Sequence, residues 1–253
     1  MLRIKSMPSL FVIIPGYGKP YEDTKKEVLL SNINRIKETF QGKLHVRVCA
    51  YDNAECLPES DELEVVREPG LPGDFLKKQA HPDALVDYDY VLILFDDILL
   101  QQNVDITKMM EWKAYFNLDI ISPTLTHDSQ HVYKYMLSAV TYHHMRIGPC
   151  CELFCYLLDK DAYRRYYEHI DPDNNPWMWG LDLILHRHLG MKVGLLDHMN
   201  MTHLFQATSY VNHKSRSPVS GYAHVLKKYN EPNDDELRNQ PIVFYSITQP
   251  SRI

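Results

Sequence analysis

Apolar residues in this chain gather into short unbroken runs separated by stripes at helical spacing. The runs 10–14 and 90–95 are too short for a core helix and rich in Val, Ile, Tyr and Phe, so they read as strands buried on both faces. Segments 44–51, 63–67, 118–122, 152–158 and 192–196 read as further strands. Thr24-Lys-Lys-Glu27 spells a capping box, and Leu29, Ile33, Ile36 and Phe40 continue it as an amphipathic helix that stops before Gly42. Segment 74–86 predicts a helix broken near Pro82, and Ile106, Met109, Trp112 and Phe116 form another stripe. Helices are also expected over 159–170, over 181–189 (Leu181, Ile184, Leu185, His188, Leu189) and over 219–229. The opening order is strand, helix, strand, strand, helix, strand. It predicts an α/β fold, Rossmann-like, with an open, mostly parallel sheet and helices on both faces. No linker divides residues 1–253, which read as one domain.

Three stretches carry little pattern. Segment 124–148 holds His127, His131, Tyr133, Tyr135, Tyr142, His143 and His144, and is expected as loops with an irregular strand. None of its histidines falls in an HExxH spacing. Segment 206–217, with Lys214 and Arg216, reads either as a solvated connection or as a loop closing over an anionic ligand, and 230–240 as a charged surface segment.

Composition narrows the picture modestly. The chain is 45% hydrophobic and 24% charged, which suits an ordinary globular core. A net charge of -6 argues against a general nucleic-acid binder. The five cysteines are odd in number and contain no CxxC pair, so reduced thiols in a cytoplasmic protein are expected. The run 10–14 is shorter than the apolar region of a signal peptide, and no segment approaches a membrane span.

Candidate chemistry centres on Asp96-Asp97, at the end of the 90–95 run. The carboxyl end of a buried parallel strand opens onto the crevice where ligands bind. Two adjacent carboxylates there repel each other unless a cation sits between them; a polar loop is the plainer alternative. Pro15-Gly16-Tyr17-Gly18-Lys19-Pro20 leaves the first strand at the same end of the sheet. Its glycines let backbone approach a ligand, and its lysine suits a phosphate. It lacks both GxGxxG and GxxxxGK[ST], and a plain turn is the alternative. Asp52, just past the second strand, is a loop carboxylate or an acceptor for a base or ribose. Asp182 falls in a first helical turn beside Trp177 and Trp179. The helix dipole favours a charge there, and the same place presents a carboxylate from a rigid start.

The ordered series Tyr88-Asp-Tyr…Phe95-Asp-Asp97, Leu118-Asp-Ile-Ile-Ser-Pro123, Glu152…Asp161-Ala-Tyr163, Trp179-Gly-Leu-Asp182 and Val193-Gly-Leu-Leu-Asp197…His203 resembles a known family. This is the domain-of-unknown-function family of plants known as lysine-ketoglutarate-reductase trans-splicing related. Its members look like GT-A-fold glycosyltransferases, with similar domains among the glycan-building enzymes of large algal viruses. The resemblance covers roughly residues 85 to 205. It implies a nucleotide-binding half over about 1–97, and a half over about 98–253 that takes the acceptor and completes the metal site. The family's DxD-type triplet falls on Phe95, Asp96 and Asp97, with Phe95 replacing the first acid. The resemblance then implies Asp97 and His203 as ligands of Mn²⁺ or Mg²⁺, Asp96 toward the donor's ribose or sugar, and Asp182 as general base. Glu152 and Trp179 become acceptor-binding candidates, and Pro15, Gly16, Tyr17 and Asp52 donor-binding ones. The implied donor is a UDP-sugar, UDP-xylose among the choices, and the implied acceptor an oligosaccharide or glycoprotein. A base at Asp182 implies inversion.

Two other functions compete. A non-catalytic carbohydrate-binding domain of the same fold would account for Phe95 in the acidic triplet. A metal-dependent phosphoesterase could use the same carboxylates, and would release phosphate rather than nucleoside diphosphate.

Overall fold

Every residue of Ser9–Tyr17 is buried, and in the computed structural model of the chain this segment, β1, is a central strand. The structure describes residues 7–19, 21–51, 62–130, 134–138, 145–148, 150–205 and 217–231, and the backbone of 245–247. β1 pairs in parallel with β2 (Lys43–Ala50) on one side and β4 (Tyr90–Leu94) on the other, and β2 in turn with β3 (Leu63–Arg67). The chain steps outward from β1 to β2 through α1 (Glu22–Thr39) and back from β3 to β4 through α2 (Pro72–Gln79). Right-handed crossovers in opposite directions put α1 and α2 on opposite faces. Side-chain bonds agree. α1 is tied to α3 (Ile106–Tyr115) through Thr107 Oγ1 and the Thr39 carbonyl. The last turn of α2 is tied to α4 (Lys160–Glu168) through Lys77 and Tyr167.

Beyond β4 the sheet changes character. β8 (Cys155–Asp159) runs antiparallel to both β4 and β6 (Ile120–Leu125). β6 then pairs in parallel with β9 (Val193–His203). β7 (Met145–Gly148) and β10 (Tyr245–Ile247) close that edge as antiparallel additions. The order is β10-β7-β9-β6-β8-β4-β1-β2-β3, with β5 (Ile98–Leu100) joined to β9 off this path. Strands β1, β2, β3, β4, β6, β9 and β10 point one way, against β5, β7 and β8. An α/β sheet with most strands running one way and helices on both faces is as expected, and the helix expected over 74–86 with a break near Pro82 is α2 followed by a single turn at Pro82–Leu85.

Three local expectations are corrected. The strand expected over 152–158 starts only at Cys155. The helix expected over 181–189 is a single turn, α5 (Leu181–Ile184), followed by irregular turns. Leu181, Ile184 and Leu185 are buried without needing a continuous helix, so the stripe is satisfied by a shorter element. The strand expected over 192–196 runs on to His203, because a bulge between the Pro123 and Thr124 pairings re-registers it against β6. The last helix is present as α6 (Pro218–Lys228). Among the described residues no helix is long and apolar enough to cross a membrane.

Candidate active site

The strand ends converge where the sequence expected a crevice. Gly16 has φ +123°, and the pairing of β1 with β2 slips between Pro15 and Tyr17 at that point. A Cβ there would meet the Tyr51 hydroxyl at 3.0 Å, so glycine is required both by conformation and by space. The Tyr17 ring is buried, and its carbonyl takes the Tyr51 N–H at 2.9 Å. Pro15, Gly16 and Gly18 are buried as well. Burial, and then the charges of Asp96 and Asp97, push the Tyr51 phenol up, which places that ring beside the acidic pair. Asp52 lies outside the described residues.

Asp96 and Asp97 diverge despite being neighbours. Asp96 is buried, its Oδ2 lies 2.8 Å from Lys25 Nζ of α1, and it also accepts the Gly18 backbone N–H. Burial pushes its carboxyl up to about 7, against the pull of Lys25 and with a smaller push from Asp97. Asp97 keeps a quarter of its side chain exposed, and its Oδ2 lies 3.2 Å from His203 Nε2. Backbone enforces that encounter. Ile98 is paired with His203 across β5 and β9, and the Leu204 N–H donates to the Asp97 carbonyl at 3.0 Å. Phe154 stacks on the His203 ring at 4.5 Å between centroids, while its own carbonyl takes the Phe95 N–H. The Phe95 side chain packs against the core.

Asp97 and His203 fit a divalent ion. Two ligands at about 2.1 Å that subtend a right angle stand about 3 Å apart, close to the observed 3.2 Å. A carboxylate oxygen with an imidazole suits Mn²⁺ in particular. Among the described residues no group of three or more His, Cys, Asp or Glu side chains that could hold a metal ion is found.

A second set of acids comes from later in the chain. Asp182 sits in the first turn of α5, behind Gly180, whose φ is +84°. Burial raises its carboxyl to about 7, and backbone N–H groups of Asp182, Leu183 and Gly180 pull the other way. Glu152 is buried too, and its carboxyl is pushed well above the usual range by burial and then by the Asp182 charge. Tyr135 and Cys150 feel both acids. Glu152 stands two residues before Phe154 in the chain, and Phe154 stacks on the His203 ring. Trp179 is 39% exposed, with its carbonyl held by Asn175 Nδ2 at 2.9 Å.

The structure therefore joins Asp97 with His203, lets Glu152 feel the charge of Asp182, and brings the Gly18 backbone at the end of β1 to Asp96. Asp197, part of the motif series, is fully buried against Arg146, whose Nε and Nη2 each lie 2.8 Å from its carboxylate. Sequence reading missed Lys25 and Asn32. Both are buried on α1, and Asn32 Nδ2 donates to the Ile98 carbonyl at 2.6 Å while its Oδ1 takes the Leu100 N–H at 2.8 Å. A signal existed, because 25, 29, 32, 33 and 36 lie on one helical stripe, which made these two polar residues inward-facing.

No protein-family model matches the chain, and no curated protein matches its sequence. Solved structures do share its shape. GalNAc-T7 with UDP, GalNAc and Mn²⁺ aligns over 88% of this chain at 10% identity and a TM-score of 0.60. S. aureus TarS 1–349 in complex with UDP-GlcNAc aligns over 87% at 14% identity and a TM-score of 0.56. The chain spans 48% of the first protein and 65% of the second. At such identities the likeness is one of fold, and the fold is GT-A-like.

Proposed function

We propose that this chain is a metal-dependent glycosyltransferase that moves a sugar from a nucleotide-sugar donor, a UDP-sugar, to a glycan acceptor. The observation that carries the reading is the Asp97–His203 pair, set at the end of β4 beside the glycine bulge of β1. The UDP, GalNAc and Mn²⁺ found with GalNAc-T7 and the UDP-GlcNAc bound to TarS, in proteins of the same fold, support it. The order of the sequence motifs supports the narrower kinship with the plant and algal-virus proteins, with UDP-xylose as one candidate donor.

Asp97 and His203 would hold Mn²⁺ or Mg²⁺, and the bound ion would offset the negative charge that builds on a departing diphosphate. The chain's own residues do the rest. The Gly16–Gly18 loop, buried at the end of β1, would approach the donor through its backbone, and the position of Tyr51 suits a wall of the nucleotide pocket. Trp179 offers an exposed aromatic face to an acceptor sugar. Asp182 takes the proton from the acceptor hydroxyl, and its raised carboxyl makes it a stronger base than an exposed aspartate. Attack from that side in one step inverts the anomeric centre. Burial, and then the Asp182 charge, push the Glu152 carboxyl up, which favours the protonated form that could donate a hydrogen bond to an acceptor oxygen.

Isothermal titration with UDP, with and without Mn²⁺, tests the reading. UDP is expected to bind more tightly with Mn²⁺, and Asp97→Ala or His203→Ala to abolish the metal-dependent part by tenfold or more, on the order of 1.4 kcal/mol. An absence of UDP binding in either condition sinks the proposal.

A further inference from the structure

A buried ammonium is costly unless it is paired. Lys25 is 8% exposed in the second turn of α1, and its partner is Asp96, itself 8% exposed, at 2.8 Å. The helix cannot easily carry it away. Asn32, on the same stripe, is bonded on both sides to β5, the strand that leaves Asp97. The cation that the adjacent carboxylates require is thus already present for one of them. The other carboxylate turns outward toward His203.

We propose that Lys25 is a resident counter-cation that withholds Asp96 from the divalent ion and makes metal binding at Asp97–His203 conditional on the donor's diphosphate. The proposal rests on the glycosyltransferase reading and adds an order of binding to it. Affinity for a hard cation rises with the number of charged oxygens offered to it. With Asp96 engaged by Lys25, the protein offers one carboxylate and one imidazole to the ion. A nucleoside diphosphate supplies the missing negative oxygens, so ion and nucleotide enter together. Without Lys25, Asp96 would become a second carboxylate for the ion, and the ion would bind without nucleotide.

Titration of MnCl₂ followed by the electron paramagnetic resonance of free Mn²⁺ reads this directly, with and without UDP. Wild-type protein is expected to bind Mn²⁺ at least about tenfold more weakly alone than with UDP. Lys25→Met and Lys25→Gln are expected to bind Mn²⁺ alone about tenfold more tightly than wild type, with most of the UDP dependence gone. Adding Asp96→Asn to Lys25→Met should cancel that gain. Unchanged Mn²⁺ affinity in folded Lys25 variants overturns the proposal while leaving the glycosyltransferase reading intact. Should those variants fail to fold, wild type still decides, because tight Mn²⁺ binding that ignores UDP contradicts it. If wild type binds neither UDP nor Mn²⁺ in any combination, the glycosyltransferase reading itself fails.

Discussion

Asp182 carries a conflict between stability and chemistry. Its carboxyl is raised to about 7 by burial, so at neutral pH the folded protein holds it partly ionised at a cost. Unfolded, it ionises near the usual aspartate value, about 3.9. The burden is absent below that pH, grows as pH rises, and is complete above about 7. Asp182→Asn should therefore raise the melting temperature by a few degrees at pH 8 and have little effect near pH 4, read by thermal denaturation. The same change should lower transfer by roughly 10²–10⁴ while UDP and Mn²⁺ still bind. In wild type, transfer should climb as pH rises from 6 to 8, because the base works in its ionised form. A variant with near-normal turnover removes Asp182 from the mechanism. The acids themselves were legible in the sequence, since Asp96-Asp97 ends an apolar run and Asp182 opens a helical stripe. Their environments were not legible, because the partner of Asp96 comes from a helix far away in the chain.

Helix α6 acts as a buttress for the loop that presents Asp182. A Cβ on Gly221 would overlap Asn175 Oδ1, and one on Gly180 would come within 2.8 Å of the Tyr222 ring. His224 pairs with Asp171 at 3.3 Å, and the Tyr229 hydroxyl meets His169 Nδ1 at 2.6 Å. Loop and helix are thus interlocked from both sides. Gly221→Ala should cost about 1–3 kcal/mol by overpacking, seen as a lower melting temperature. It should reduce transfer with little change in UDP affinity, since α6 packs on the Asp182 side; equal losses in both would argue against a local role. The helix was visible as an apolar stripe over 219–229, but its partner loop was not. Strand β9 shows the same limit. Its first half was read from Val193 to Leu196, whereas Asp197-His-Met-Asn-Met-Thr-His203 looks polar and loop-like. Asp197 and His203 are buried in that strand because Arg146 and Asp97 receive them, and no local pattern encodes those partners.

We propose that residues 1–253 act as one domain, in which the part before residue 98 approaches the nucleotide and the remainder completes the site. One sheet runs through both parts, joined where β4 meets β8. The fold class was readable because buried parallel strands have unmistakable apolar runs. The reversed strand β8 was not, since direction is set by connections and not by composition. The Arg146–Asp197 pair anchors the far side. Arg146 also donates to the carbonyls of Tyr135 at 2.7 Å and Leu137 at 2.9 Å, so it ties the turn bearing Tyr135 to β7 and β9. Arg146→Met leaves a fully buried carboxylate without its counter-ion and should destabilise the protein by about 3–5 kcal/mol. Urea denaturation measures this, and adding Asp197→Leu should recover much of the loss.

The meeting of Asp97 with His203 has a consequence outside chemistry. The two residues are 106 positions apart, yet backbone pairing holds them together. An ion bound by both, together with a diphosphate, would act as a reversible cross-link closing a long loop of chain. Loaded protein should then resist protease over the whole segment between β4 and β9, and not only around the ligand. Each cycle of donor entry and product release would tighten and loosen that staple.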